Sequence, residues 1–312
     1  MLSSTADHLY WMARSIERAE NMARMLDVTY RMSLLKHGTV EPFQEWAAML
    51  SISGLHYEFA DNYADINTAN VIKFMAFDED NPSSIYCSLQ SARENARAVR
   101  GSITSEMWET LNATWIEMKG IRERGLASDG ISEFFEWVKE RSHLSRGITY
   151  GTMLRDDGFR FIRLGTHLER ADNTLRILDV KYHILLPSLQ DVGGAADYYQ
   201  WGALLRSVSA FETYRKVYRD VITPKRVAEL LILRVDMPRS LHACLEEADQ
   251  QIRILNGPRS EELQRLSGRF YSEVKFCTIG DIMTEGLHQY LTRSLDRIHA
   301  LGDAVNQTYF FA

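Results

Sequence analysis

Ile16-Glu17-Arg18-Ala19-Glu20-Asn21-Met22-Ala23-Arg24-Met25-Leu26-Asp27-Val28 returns later in the chain as Leu168-Glu169-Arg170-Ala171-Asp172-Asn173-Thr174-Leu175-Arg176-Ile177-Leu178-Asp179-Val180, with Glu17 meeting Glu169 at an offset of 152. Self-similarity at one spacing is read before local propensity, because it decides the architecture. Two further pairs keep the same order. Trp46-Ala47-Ala48-Met49-Leu50 resembles Trp201-Gly202-Ala203-Leu204-Leu205, and Asp80-Asn81-Pro82-Ser83-Ser84-Ile85 resembles Asp236-Met237-Pro238-Arg239-Ser240-Leu241, at offsets of 155 and 156. The reading is a single domain over 1–312 made of two tandem copies, about 1–150 and 151–312.

Each copy reads as a set of helices. Leu9, Met12, Ile16, Ala19, Ala23 and Leu26 fall on one side at a 3.6-residue period, and Ser4 precedes Asp7 at cap-box spacing. Further helices are predicted over Pro42–Gly54, Thr68–Phe77 and Ser83–Arg100, then near 104–120 and 131–146. Asp80-Asn81-Pro82 ends one helix and can open the next, and Thr223-Pro224 starts another before Val227. Runs of β-branched residues in strict alternation are absent. Arg155-Asp156-Asp157-Gly158 at the joint is a short turn with helix-capping residues, or else borders a cleft. The predicted fold is all-α, two tandem helical-bundle repeats packed about a pseudo-two-fold axis.

Bulk composition agrees. The 312 residues are ample for a packed core, with 45% hydrophobic and 25% charged residues. Six prolines and 18 glycines are few, which suits long helices. A formal net charge of −6 argues against nucleic-acid binding, which wants a basic surface. Cys87, Cys244 and Cys277 form no CxxC pair, as expected of a reducing compartment. No secretory leader is read at the N-terminus, and the most apolar run, 228–235, is too short to cross a bilayer. A cytoplasmic location without membrane contact is expected.

On a helical wheel Glu17, Glu20, Asn21 and Arg24 share one face, as do Glu169, Asp172, Asn173 and Arg176. For a lone helix this would be a solvated face laced with weak ion pairs. The duplication argues otherwise. Apolar positions drift between copies (Met22 against Thr174, Met25 against Ile177), whereas the charged and amide positions change only at Glu20 against Asp172. A surface face tolerates any polar residue. Polar side chains held in register imply specific partners, either a buried network between the halves or a binding site. Arginine forks suit a carboxylate, the acids suit an ammonium, and the amide serves both, which together fit an amino acid or peptide.

Leu9-Tyr10-Trp11-Met12-Ala13-Arg14-Ser15-Ile16-Glu17-Arg18-Ala19-Glu20-Asn21 resembles the opening signature of the bacterial alpha-E domain family, and 152–172 resembles its central segment, as does Gly286-Leu287-His288-Gln289-Tyr290-Leu291 its close. Members of that family typically accompany a circularly permuted ATP-grasp ligase, often with a transglutaminase-like peptidase. The resemblance therefore implies a part in ATP-dependent peptide or amide-bond synthesis or tagging. Arg14 faces Thr166 and Trp11 faces Arg163 across the copies, so two such sites could not be equivalent.

The expectation is a partner of an ATP-grasp ligase that holds an amino-acid or peptide substrate, or docks the ligase. Its substrate-binding residues would be Arg14, Arg18, Glu20, Asn21, Arg24, Arg163, Arg170, Asp172, Asn173 and Arg176. One alternative is an enzyme with Glu17 or Glu169 as general acid/base. Another is a scaffold whose stripe is an internal network. No cofactor is expected, since no Gly-rich phosphate loop or GxSxG element is present. Glu140-x-x-His143 and Glu285-x-x-His288 have di-iron spacing. They occupy non-equivalent positions, which argues for chance. Arg93-Glu94-Asn95-Ala96-Arg97 echoes the stripe, as an exposed face or as a completion of a network with Glu17 and Arg24.

Overall fold

The computed structural model describes residues 1–34, 42–126, 130–184, 195–257 and 260–310. Every regular element among the described residues is helical. The helices are α1 Ser3–Ser33, α2 Pro42–Ser53, α3 His56–Asn62, α4 Thr68–Phe77, α5 Ile85–Ala98, α6 Ser105–Arg124, α7 Ile131–Thr152, α8 Asp157–Ile184, α9 Ala195–Ser207, α10 Phe211–Tyr218, α11 Pro224–Ile232, α12 Leu241–Ile254, α13 Glu261–Phe276, α14 Ile279–Glu285 and α15 Leu287–Tyr309. No helix among the described residues is long and apolar enough to cross a membrane.

The two long stripe helices, α1 and α8, pack against each other at the centre. Their close approach depends on Gly165: a Cβ there would lie 2.5 Å from the Tyr10 backbone oxygen of α1. The flanking helices then divide. α1 lies against α5, α7 and α9, while α8 lies against α12, α15 and α2. Leu9, Met12 and Leu26 of α1 are fully buried at this centre, together with Phe159, Leu175 and Leu178 of α8. Aromatic residues from the outer helices, Trp46, Phe59, Phe74, Phe135 and Tyr214, close the core around it.

The expected start signals hold in part. Thr223 caps α11 through its side chain, with Pro224 in the first turn. Asp156 accepts from the Phe159 N–H at 3.2 Å, so the joint residue is a helix cap. Ser4 is not one: α1 begins at Ser3, with Leu2 at the cap position and no side-chain bond there. Nor does Pro82 open a helix. It sits in a turn, and α5 is started by Ser84, whose side chain accepts from the Cys87 N–H. α6 and α7 run past their expected ends, and α3 carries no signal that was read.

Candidate functional site

The acids of each stripe reach across to the other stripe. Arg170 donates from Nε and Nη2 to the two carboxylate oxygens of Glu17, both at 2.9 Å. Arg18 does the same to Glu169, at 2.6 Å and 3.1 Å. Each Glu-Arg pair therefore bonds to the opposite one, with planar forks matched to carboxylates. Around Glu17 two more guanidinium groups converge: Arg239 at 3.0 Å and Arg146 at 3.1 Å.

Glu20 completes this first cluster. It accepts from Arg24 at 2.8 Å, Ser142 at 2.7 Å, Arg239 at 2.6 Å, and Arg146. Arg239 also donates to Asn21 Oδ1 at 3.0 Å. Glu17, Glu20 and Arg239 are buried, and pairing with arginines decides the ionisation of the two carboxyls. Burial alone would raise the Glu17 carboxyl, but Arg170 and Arg239 outweigh it and hold it below the usual range. The same competition leaves Glu20 well below that range, with Arg239, His143 and Arg146 lowering it. A carboxylate so fully occupied is a structural ion, poorly placed to take a proton from anything.

The second cluster differs. Glu169 accepts from Arg18 and from Arg14 Nε at 2.7 Å. Asp172 accepts from Arg176 at 2.7 Å, and His299 Nε2 lies 2.8 Å from its other oxygen. Burial works to raise the Asp172 carboxyl, but the His299 and Arg176 bonds bring it down to about 2. Here Glu169 meets two guanidinium groups where Glu17 meets three. A cavity of about 240 Å³ opens instead, lined by Arg14, Arg18, Asn21, Glu169, Asp172, Asn173, Arg176 and His299, with Ser83, Ser53, Met22 and Met25. Its volume is below the drug-sized range and suits one small molecule. Asn21 Nδ2 is buried with no hydrogen-bond partner among the described residues. Buried amide donors left unpaired are costly and uncommon.

Of the residues expected from sequence, the cavity gathers Arg14, Arg18, Asn21, Glu169, Asp172, Asn173 and Arg176. Glu17, Glu20, Arg24 and Arg170 lie instead in the first cluster. Arg163 is apart from both and pairs with Glu247. The Arg93–Arg97 segment joins neither: Asn95 bonds His8, while Arg93 bonds Asn112 and Glu94. The two Glu-x-x-His pairs also separate, with His143 beside Arg24 and Glu20, and His288 on Asp179 at 2.6 Å. Among the described residues no group of three or more His, Cys, Asp or Glu is placed to hold a metal ion.

The pattern of a family described as an alpha-helical domain with a conserved ER motif matches residues 1–310. The chain belongs to the Alpha-E family. Among curated proteins this Alpha-E chain is similar to uncharacterised proteins of Mycobacterium bovis and Mycobacterium tuberculosis, each 26% identical over 315 residues. The match covers 94% of this chain but only 35% of either relative. This chain thus spans about a third of the length of the curated relatives it matches. No solved structure matches it.

Proposed function

We propose that this Alpha-E chain is the substrate-holding component of a cytoplasmic, ATP-grasp-linked system for amide-bond synthesis or peptide tagging. The cavity on the second stripe takes an amino acid or a peptide end. The carrying observation is that cavity: three arginines and a histidine, two carboxylates and two amides line one space of single-amino-acid size. Arg18, Arg176 and His299 are its more exposed members, so a carboxylate is received near the mouth. Glu169 and Asp172 are more buried and receive the cationic part further in.

The two-copy architecture belongs to the same proposal. Two halves about a pseudo-two-fold axis would exchange partners in the way Glu17–Arg170 and Glu169–Arg18 do, and would place α9 on α1 as α2 lies on α8. The circularly permuted ATP-grasp ligase, with or without the transglutaminase-like peptidase, is proposed on the family resemblance. The far greater length of the mycobacterial relatives leaves room for such a partner within one polypeptide.

Catalysis by the chain itself is the second reading, and it rests on Glu169, which lines the cavity where Glu17 does not. Calorimetric titration of the purified chain with free amino acids and dipeptides tests the first. Free zwitterions should bind, Arg18→Ala and Arg176→Ala should weaken them at least tenfold, and esterified ligands should lose similarly. Absence of binding by any free amino acid or dipeptide removes the cavity reading. Co-purification with the co-encoded ligase tests the partner, and turnover abolished in Glu169→Gln would move the chain to the enzymes.

A further inference from the structure

Arg239 and Ser83 stand at matching places in the two related segments, Asp236-Met237-Pro238-Arg239-Ser240-Leu241 and Asp80-Asn81-Pro82-Ser83-Ser84-Ile85. Each precedes a capping serine, Ser240 of α12 and Ser84 of α5. Their surroundings match as well. Arg239 Nη1 reaches Glu17 and Asn21 at 3.0 Å each, and Nη2 reaches Glu20 at 2.6 Å. Ser83 lines the cavity that also holds Glu169, Asn173 and Asp172, the counterparts of those three acceptors.

We infer that Arg239 is a built-in occupant of the first cluster, and that the cavity of the second takes a free guanidinium in the corresponding seat. The ligand class is then a guanidinium-bearing amino acid or peptide with a free carboxylate. This rests on the amino-acid reading above and adds which part of the ligand goes deepest. A planar fork with donors on two nitrogens meets three acceptors spread over one helix face, which a compact ammonium does less well. Two details fit. Asn173 makes no side-chain hydrogen bond among the described residues, although it is buried. Asp172 is one methylene shorter than Glu20, which widens the seat, and it stays ionised because Arg176 and His299 hold it there. The other arginines of the first cluster have stand-ins: Arg18 grips Glu169 as Arg170 grips Glu17, and Arg14 adds the second guanidinium that Arg146 supplies to Glu17. Only the Arg239 guanidinium has no equivalent. The stem of the ligand would lie along Met22 and Met25.

The test is a calorimetric comparison of L-arginine with L-citrulline, its uncharged urea isostere, on the full chain, repeated on Ser83→Arg. Arginine should bind at least tenfold tighter than citrulline, and Ser83→Arg should lose arginine because its own side chain fills the seat. Equal binding of the two amino acids overturns this inference while leaving the amino-acid reading standing, since both carry the same α-ammonium and carboxylate. Binding of neither overturns both. Undiminished arginine binding by a Ser83→Arg protein with an unchanged circular-dichroism spectrum also overturns the inference. The wild-type comparison decides the matter without the variant, should that variant fail to fold.

Discussion

Arg170 and Glu17 face each other across the α1–α8 contact as a doubly bonded pair, with both N···O distances 2.9 Å. Neither side chain is more than a tenth exposed. The pair is embedded among Arg146, Arg239 and Glu20, so the two carboxylates are shared by several guanidinium groups. In such clusters, exchange of every member for apolar residues can be harmless, whereas loss of one leaves a buried charge without its counter-ion.

Glu17→Gln should therefore be among the most damaging single changes in the chain. The amide keeps the volume but removes the charge that neutralises Arg170 and Arg239. A loss of about 3–5 kcal/mol is expected. Urea unfolding followed by circular dichroism measures it, and a loss under 1 kcal/mol would mean that the cluster is hydrated and loosely coupled.

Gly165→Ala addresses the same contact sterically. The added methyl would lie 2.5 Å from a backbone oxygen of α1, which cannot swing aside as a side-chain tip would. Stability should fall by about 1–3 kcal/mol, the usual range for overpacking. Any affinity for the proposed amino-acid ligand should fall with it, because residues of both helices line the cavity. Unchanged melting would show that α1 and α8 can slide apart at no cost.

The fold was legible for one reason: the Glu17–Arg24 stripe and the similar Glu169–Arg176 stripe are long, periodic and alike, so helix type and central position follow from a short stretch. The site was legible only by half. Arg146, Ser142 and His143 come from α7, and His299 from α15, each more than a hundred residues from the stripe it touches. Nothing local in sequence ties them to it. Arg239 did leave a trace, since a charged residue standing against a serine in otherwise matching segments is the signature of a changed environment. Equal treatment of the two stripes hid that trace. What made them differ was a side chain arriving from α12's leading turn, and tertiary occupancy of that kind has no periodic signal.

Asp172 and His299 give the cavity a pH dependence. The Asp172 carboxyl lies at about 2 against an ordinary 3.8, so its stabilisation is present above 3.8 and is lost as pH falls through 2. That shift is worth on the order of 2 kcal/mol. The His299 imidazole is raised above 6.5, chiefly by its bond to Asp172, so its contribution is complete below 6.5 and fades as pH rises through the raised value. An NMR titration should place the His299 midpoint above 6.5, and Asp172→Asn should return it to 6.5 or lower. A midpoint unmoved by that substitution would break the link between the two groups.

Arg239→Ser tests whether the first cluster recognises guanidinium as a chemical group or merely needs a covalent arginine. Removal strips Glu17, Glu20 and Asn21 of one shared donor while Arg170, Arg146 and Arg24 still pair with the two carboxylates, and a destabilisation of about 1–3 kcal/mol is expected. An ion that binds only the folded state restores stability in proportion to RT ln(1 + [L]/Kd). Millimolar guanidinium chloride should accordingly raise the melting temperature of the variant by more than that of the wild type, whose first-cluster seat is filled. At molar concentration the same salt acts as a denaturant and lowers both. The variant should thus pass through a larger maximum, relative to its own starting point, than the wild type. Sodium chloride at matched ionic strength separates seat occupancy from screening of the exposed charges. If the variant gains no more than the wild type does, the cradle of Glu17, Glu20 and Asn21 has no affinity for a free guanidinium.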